Sequence, residues 1–136
     1  MAESSKHAAL IQTIVDYIRH SYTHKTALGI LHDLPSAIGA EKPPRIEGFV
    51  PDVYAYDAPL TTVIIGEAKT AADLETPHSL SQLTAYVSFL ALQPTGVFIL
   101  AVPWHIKRRA EALVTSLCQQ AGAKGISTVT LDDLRL

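Results

Sequence analysis

Apolar residues recur at helical spacing in the first part of the chain, where Leu10, Ile11, Ile14, Val15, Ile18 and Tyr22 share one face of residues 4–22 behind Ser4 and Ser5 as capping candidates. The spacing predicts an amphipathic helix. "TALGILHD" fits either a short strand or a helical turn, and residues 33–45, punctuated by Pro35, Pro43 and Pro44, read mostly as loop. Residues 48–56 and 61–69 are rich in Val, Ile, Tyr and Thr and flank "DAPL", which predicts an antiparallel hairpin. Thr76 then stands at an N-cap with Pro77 at the first helical position, ahead of an apolar stripe of Leu80, Leu83, Val87 and Leu90. The run "GVFILAVP" has no polar face, so it predicts a strand covered on both sides within a sheet. "WHIKRRAEALVTSLCQQAGA" predicts a third helix ending near Gly122, and "GISTVT" a last short strand. This order implies an α/β fold with a mixed central sheet flanked by helices, and the length suits one domain over residues 1–136.

The hairpin carries charges where its pattern is most apolar. Side chains alternate along a strand, so Val63, Ile65, Glu67 and Lys69 share one face and Ile64, Gly66 and Ala68 the other. If Asp57–Leu60 form the loop, Tyr56 pairs with Thr61 and Asp52 falls opposite Ile65, on the face of Glu67. Diagonal neighbours in such a pair lie about 7–8 Å apart, close enough for two carboxylates to share a small ion. A slip of one residue would send Asp52 to the other face. Two carboxylates without a nitrogen or sulfur ligand make a hard oxygen site, suited to Mg²⁺ or Mn²⁺. The ammonium of Lys69 beside them would serve an attacking water or the charge on a phosphate, which points to phosphodiester hydrolysis. The alternative reading makes Asp52 and Lys69 solvated strand ends and Glu67 a surface partner of Lys69.

Composition narrows the partners. The chain has 11 Lys and Arg against 13 Asp and Glu, so a net charge of −2 offers no general attraction to a polyanion, and nucleic-acid contact must be local. The leading patch is Lys107, Arg108 and Arg109 at the start of the third helix, with a solvated face paired to Glu111 as the alternative. No run reaches the roughly 18 apolar residues of a membrane span, and the start lacks an apolar core behind a basic segment, so a cytoplasmic protein without membrane contact is expected. The single cysteine, Cys118, excludes an intrachain disulfide and reads as a buried structural thiol. His20 and His24 have the spacing of paired ligands but lack a surrounding zinc motif, and read as a solvated helix end. His78 reads as a surface residue near a cap, and Tyr86 as the edge of the core.

The set Pro51, Asp52, Glu67, Ala68 and Lys69, with the order of elements through "GVFILAV", resembles the PD-(D/E)XK nuclease superfamily and its restriction-endonuclease-like fold. The segment "EAKTAADL" followed by a helix bearing Gln82 is similar to small replication-repair nucleases and Holliday-junction resolvases. The resemblance implies that Asp52 and Glu67 bind the divalent ion, that the Ala68 carbonyl adds a ligand, that Lys69 serves the hydrolytic water and that Gln82 supports the site. It also implies an acidic residue from the first helix, for which Asp16 is the best-placed candidate, ahead of Glu3 and of Glu47 outside that helix. The expected activity is divalent-metal-dependent cleavage of DNA, with a homodimer that cuts two strands symmetrically as the expected assembly. The competing expectation is a non-catalytic module of the same fold that binds nucleic acid or a protein.

Overall fold

The computed structural model describes residues 2–22, 27–34, 41–58 and 61–134, with side chains from residue 5 onward. Helix α1 (Ala2–Ser21) is followed by strands β1 (Leu28–His32), β2 (Val53–Asp57) and β3 (Thr62–Ala68), helix α2 (Pro77–Ala91), strand β4 (Thr95–Val102), a 3₁₀ turn (Trp104–Ile106), helix α3 (Lys107–Ala121) and strand β5 (Ser127–Asp132). The strands form one sheet in the order β1-β2-β3-β4-β5, antiparallel from β1 to β3 and parallel from β3 to β5. This is the mixed, helix-flanked α/β sheet expected, and β4 is buried between β3 and β5 as its unbroken apolar run requires.

Each face of the sheet builds its own core. Leu10, Ile11, Ile14 and Ile18 of α1 pack on Val53, Ala55, Ile64 and Ile99. On the opposite face Leu83, Tyr86 and Leu90 of α2 and Ala110, Val114 and Leu117 of α3 cover Val63, Ile65, Phe98 and Leu100. Local signals fix the helix ends: the Thr76 hydroxyl accepts from the Ser79 N–H at 3.2 Å with Pro77 beside it, and Gly122 closes α3 at φ 64°, a left-handed conformation glycine adopts without cost. Cys118 is only partly buried against the α2/α3 core, short of the full burial expected, and desolvation pushes its thiol up.

Gly66 sets how closely α1 lies on the sheet. A Cβ there would stand 2.6 Å from Cγ2 of Ile14 and 3.2 Å from Cβ of Val53. Gly66→Ala should therefore cost about 1–3 kcal/mol by overpacking, seen as a lower urea midpoint at unchanged m value; an unchanged midpoint would mean that α1 can lift without penalty.

Two expectations about the hairpin need correction. The first strand starts at Val53 rather than at residue 48. Residues 46–49 instead form a tight turn, with Ile46 and Phe49 bridged and with Glu47 and Gly48 at φ 52° and 87°. Pro51, which lacks an N–H, then precedes the ladder. The pairing is also shifted by two residues. Tyr56 faces Val63 and Val53 faces Gly66, which brings Asp52 beside Glu67 rather than Ile65. The cause is Asp57, which belongs to the strand and uses its carboxylate to accept from the Thr61 N–H (2.8 Å), the Thr62 N–H (3.1 Å) and the Thr61 hydroxyl (2.5 Å). These bonds, led by the Thr61 hydroxyl, hold its carboxyl below the usual range. Pro59 and Leu60 of the "DAPL" connection lie outside the described residues. A shift of two residues keeps every side chain on its face, so Asp52 and Glu67 remain together.

Candidate active site

The carboxylates meet where β2 begins and β3 ends. Lys69 continues the β3–β4 ladder by donating its N–H to the Ala101 carbonyl at 3.0 Å, so the sheet holds the backbone through the site. Asp52 Oδ2 accepts from the Ala68 N–H at 2.8 Å, and Glu67 Oε1 accepts from the Asp52 N–H at 3.2 Å. Each carboxylate is thus tied to backbone beside the other. On the same side Lys69 Nζ lies 3.4 Å from Glu67 Oε2 and donates to Gln82 Oε1 at 2.5 Å. Gln82 Nε2 in turn donates to the Tyr86 hydroxyl at 3.1 Å. Asp52, Glu67, Lys69 and Gln82 are 7%, 4%, 8% and 7% exposed, so the alternative of solvated strand ends does not describe them.

The structure brings together Asp52, Glu67, Ala68, Lys69 and Gln82 and leaves other candidates apart. Asp16 is exposed and accepts from Gln12 Nε2 at 2.9 Å within α1. Glu47 is exposed in the turn before β2. The Glu3 side chain lies outside the described part of the chain, as does His24. The residue that α1 does deliver is His7, whose Nε2 lies 3.3 Å from Asp52 Oδ2. Sequence reasoning passed over it, although His7 stands four residues before Ile11 and seven before Ile14 and so extends the apolar stripe by one polar position. Tyr86, expected at the edge of the core, is fully buried, and its hydroxyl closes the Gln82 chain.

The electrostatics reflect two acids held close in little water. Burial, followed by the neighbouring Asp52 charge, pushes Glu67 up to about 8, against the opposing pull of Lys69 and the Asp52 amide. His7 is raised chiefly by its hydrogen bond to Asp52, against its own desolvation, with further help from Asp52 and Glu67 charge and the Ala68 carbonyl. Burial, then the Glu67 charge, pushes the Tyr86 hydroxyl up. Among the described residues no buried side-chain nitrogen or oxygen lacks a partner.

The donor set fits a hard divalent ion. Two carboxylates lie together with the Ala68 carbonyl beside His7 at the same site, and ionising Glu67 next to Asp52 in so little water would leave charge that a cation would offset. Among the described residues no group of three or more His, Cys, Asp and Glu side chains is placed to hold an ion, so water and substrate oxygens would supply the remaining coordination. His7 approaches Asp52 Oδ2, an oxygen of one of the two carboxylates that would hold the ion.

The basic run is partly committed elsewhere. Lys107 Nζ lies 3.5 Å from Asp132, and Arg109 Nε lies 2.9 Å from Glu75 with a second contact to the Ala71 carbonyl at 3.5 Å. These acids, not Glu111, offset the cations at the start of α3. Arg108 is exposed. His78 is exposed and meets Phe49 edge to face, with ring centroids 5.5 Å apart. Among the described residues no helix is long and apolar enough to cross a membrane. Comparison of the chain with protein-family models, with curated proteins and with solved structures gave no match.

Proposed function

We propose that this chain is a divalent-metal-dependent nuclease of the PD-(D/E)XK type, with a restriction-endonuclease-like fold, that hydrolyses phosphodiester bonds of DNA. The observation that carries the reading is the buried, interlocked Asp52–Glu67 pair with Lys69 on the same face. Asp52, Glu67 and the Ala68 carbonyl would hold Mg²⁺ or Mn²⁺, whose contribution is Lewis-acid polarisation of the phosphoryl group. Lys69 has three ammonium hydrogens; Gln82 takes one, Glu67 lies near a second, and one remains for a water or a phosphoryl oxygen. Gln82, braced by Tyr86, keeps that ammonium aimed at the carboxylates rather than into solvent. The water oxygen bonds to phosphorus and gives a proton to solvent, while the bond from phosphorus to the leaving sugar oxygen breaks and that oxygen takes up a proton from solvent to become a hydroxyl. Arg108, with Lys107 and Arg109 beside it, lies on the surface available to the DNA backbone.

Purified protein with Mg²⁺ or Mn²⁺ should cut DNA, and calorimetry should show ion binding that Asp52→Ala abolishes. No cutting of duplex, branched or single-stranded DNA would overturn the proposal. One observation favours a non-catalytic module instead: His7 beside Asp52 and Lys69 beside Glu67 already give both acids a partner within the chain. The two readings separate at His7. If the imidazole merely stands where an ion binds, His7→Ala should tighten Mn²⁺ binding several-fold; a silent titration in both proteins would favour the module.

A further inference from the structure

A crevice of about 590 Å³ opens at the ends of β3, β4 and β5, the same end of the sheet that carries Glu67 and Lys69. Its walls come from the start of α1, the loop after β3, the turn after β4 and the residues after β5. Chain continuity fixes its place beside the carboxylates: Lys6 on its wall precedes His7, and Thr70 follows Lys69. The surface inside is mostly apolar, with Ala9, Ala71, Ala72 and Pro103 beside a few polar groups, which is the character of a site for an organic ring. The polar groups are Lys6, Thr70, His105 and Asp133. Asp133 Oδ1 accepts the Trp104 N–H at 2.8 Å, which leaves its other oxygen to accept from a base N–H, such as the imino N–H of thymine.

We propose that this crevice receives a single unpaired nucleotide of the DNA being cut, so that the substrate is DNA with single-stranded or splayed segments rather than intact duplex. The inference rests on the nuclease reading above. A base stacked and paired within a duplex cannot enter a crevice between four chain segments; a base released from the stack can. Ala9, Ala71, Ala72 and Pro103 supply apolar surface for the ring, and His105 an aromatic group. Lys6 supplies a cation for the adjoining phosphate, one residue from the group that touches Asp52. The exposed Trp104, whose ring meets His105 edge to face at 5.8 Å, offers a second aromatic surface to a neighbouring base.

The test uses Ala9→Trp, which fills the crevice from an exposed position of α1, and His105→Ala, which removes the aromatic wall at an exposed position. Anisotropy of a fluorescein-labelled oligodeoxythymidine and of a blunt hairpin duplex is read with Ca²⁺, and cleavage of splayed and blunt DNA with Mn²⁺. Wild-type protein should prefer the unpaired DNA, and each substitution should weaken its binding about tenfold or more while duplex binding changes little. Equal binding of both forms, or unchanged oligodeoxythymidine binding in both variants, would overturn the proposal even if DNA is cut. Crevice-dependent binding without cleavage of any DNA would instead sink the nuclease reading and leave the crevice assignment standing.

Discussion

Lys69→Ala should retain divalent-ion binding and lower the rate of DNA cleavage by at least about a thousandfold. The residue is not an ion ligand, so its loss leaves Asp52, Glu67 and the Ala68 carbonyl in place. It is held between Glu67 Oε2 at 3.4 Å and Gln82 Oε1 at 2.5 Å, in a site too dry for a solvent cation to replace it. A merely structural lysine would behave differently. Its removal would lower stability, and Lys69→Met, which keeps the buried stem, would recover most of the activity. On the proposed mechanism Lys69→Met is as inactive as Lys69→Ala, because the missing element is the third ammonium hydrogen. Gln82→Ala should lose less, about tenfold, since it frees the lysine without removing it. Cleavage rates at saturating Mn²⁺, with calorimetry above pH 8 as the binding control, decide the matter; a Lys69→Met protein that cuts DNA at the wild-type rate would remove the lysine from the mechanism.

The face on which these residues emerge was legible because strand alternation is a local property. Asp52, Glu67 and Lys69 keep their side whether the hairpin register is counted one way or shifted by two. The register itself was not legible, since it depends on the Asp57 carboxylate capping the Thr61 and Thr62 amides, a contact across the turn that no pattern of apolar residues reveals. The start of β2 was misread for a more readable reason: Glu47-Gly48 ahead of Pro51 signals a turn, and the neighbouring Ile46, Phe49 and Val50 concealed it. The first-helix residue at the site was hidden because helical periodicity identifies a face but not how far along the helix the sheet meets it. Gly66 fixes that position by letting Ile14 seat closely, which carries His7 to Asp52 and leaves Asp16, nine residues later, roughly 13 Å farther along the axis.

Divalent ions should raise the melting temperature of the wild-type protein on the order of 10 °C at about a hundredfold excess over the dissociation constant, and should do nothing for Glu67→Gln. The reason lies in the pH dependence without ions. Glu67 holds its proton up to about 8 in the folded chain but only to the ordinary 4.5 when unfolded, so between those values the folded state binds more protons and stability falls as pH rises. His7 acts in the same direction: its contribution is complete below the unfolded value of 6.5 and is lost as pH climbs through its raised folded value. In chelator, then, the melting temperature should decline from pH 5 to above 8, and Glu67→Gln should flatten the slope to the His7 share. A bound cation reverses the cause, because it favours the ionised carboxyl and releases its proton. The ion-dependent rise should therefore grow with pH across the range in which the chelated protein weakens. A purely structural Lys69–Glu67 pair predicts neither result: wild-type protein would be indifferent to Mn²⁺, and Glu67→Gln would lower the melting temperature without changing its response to the ion.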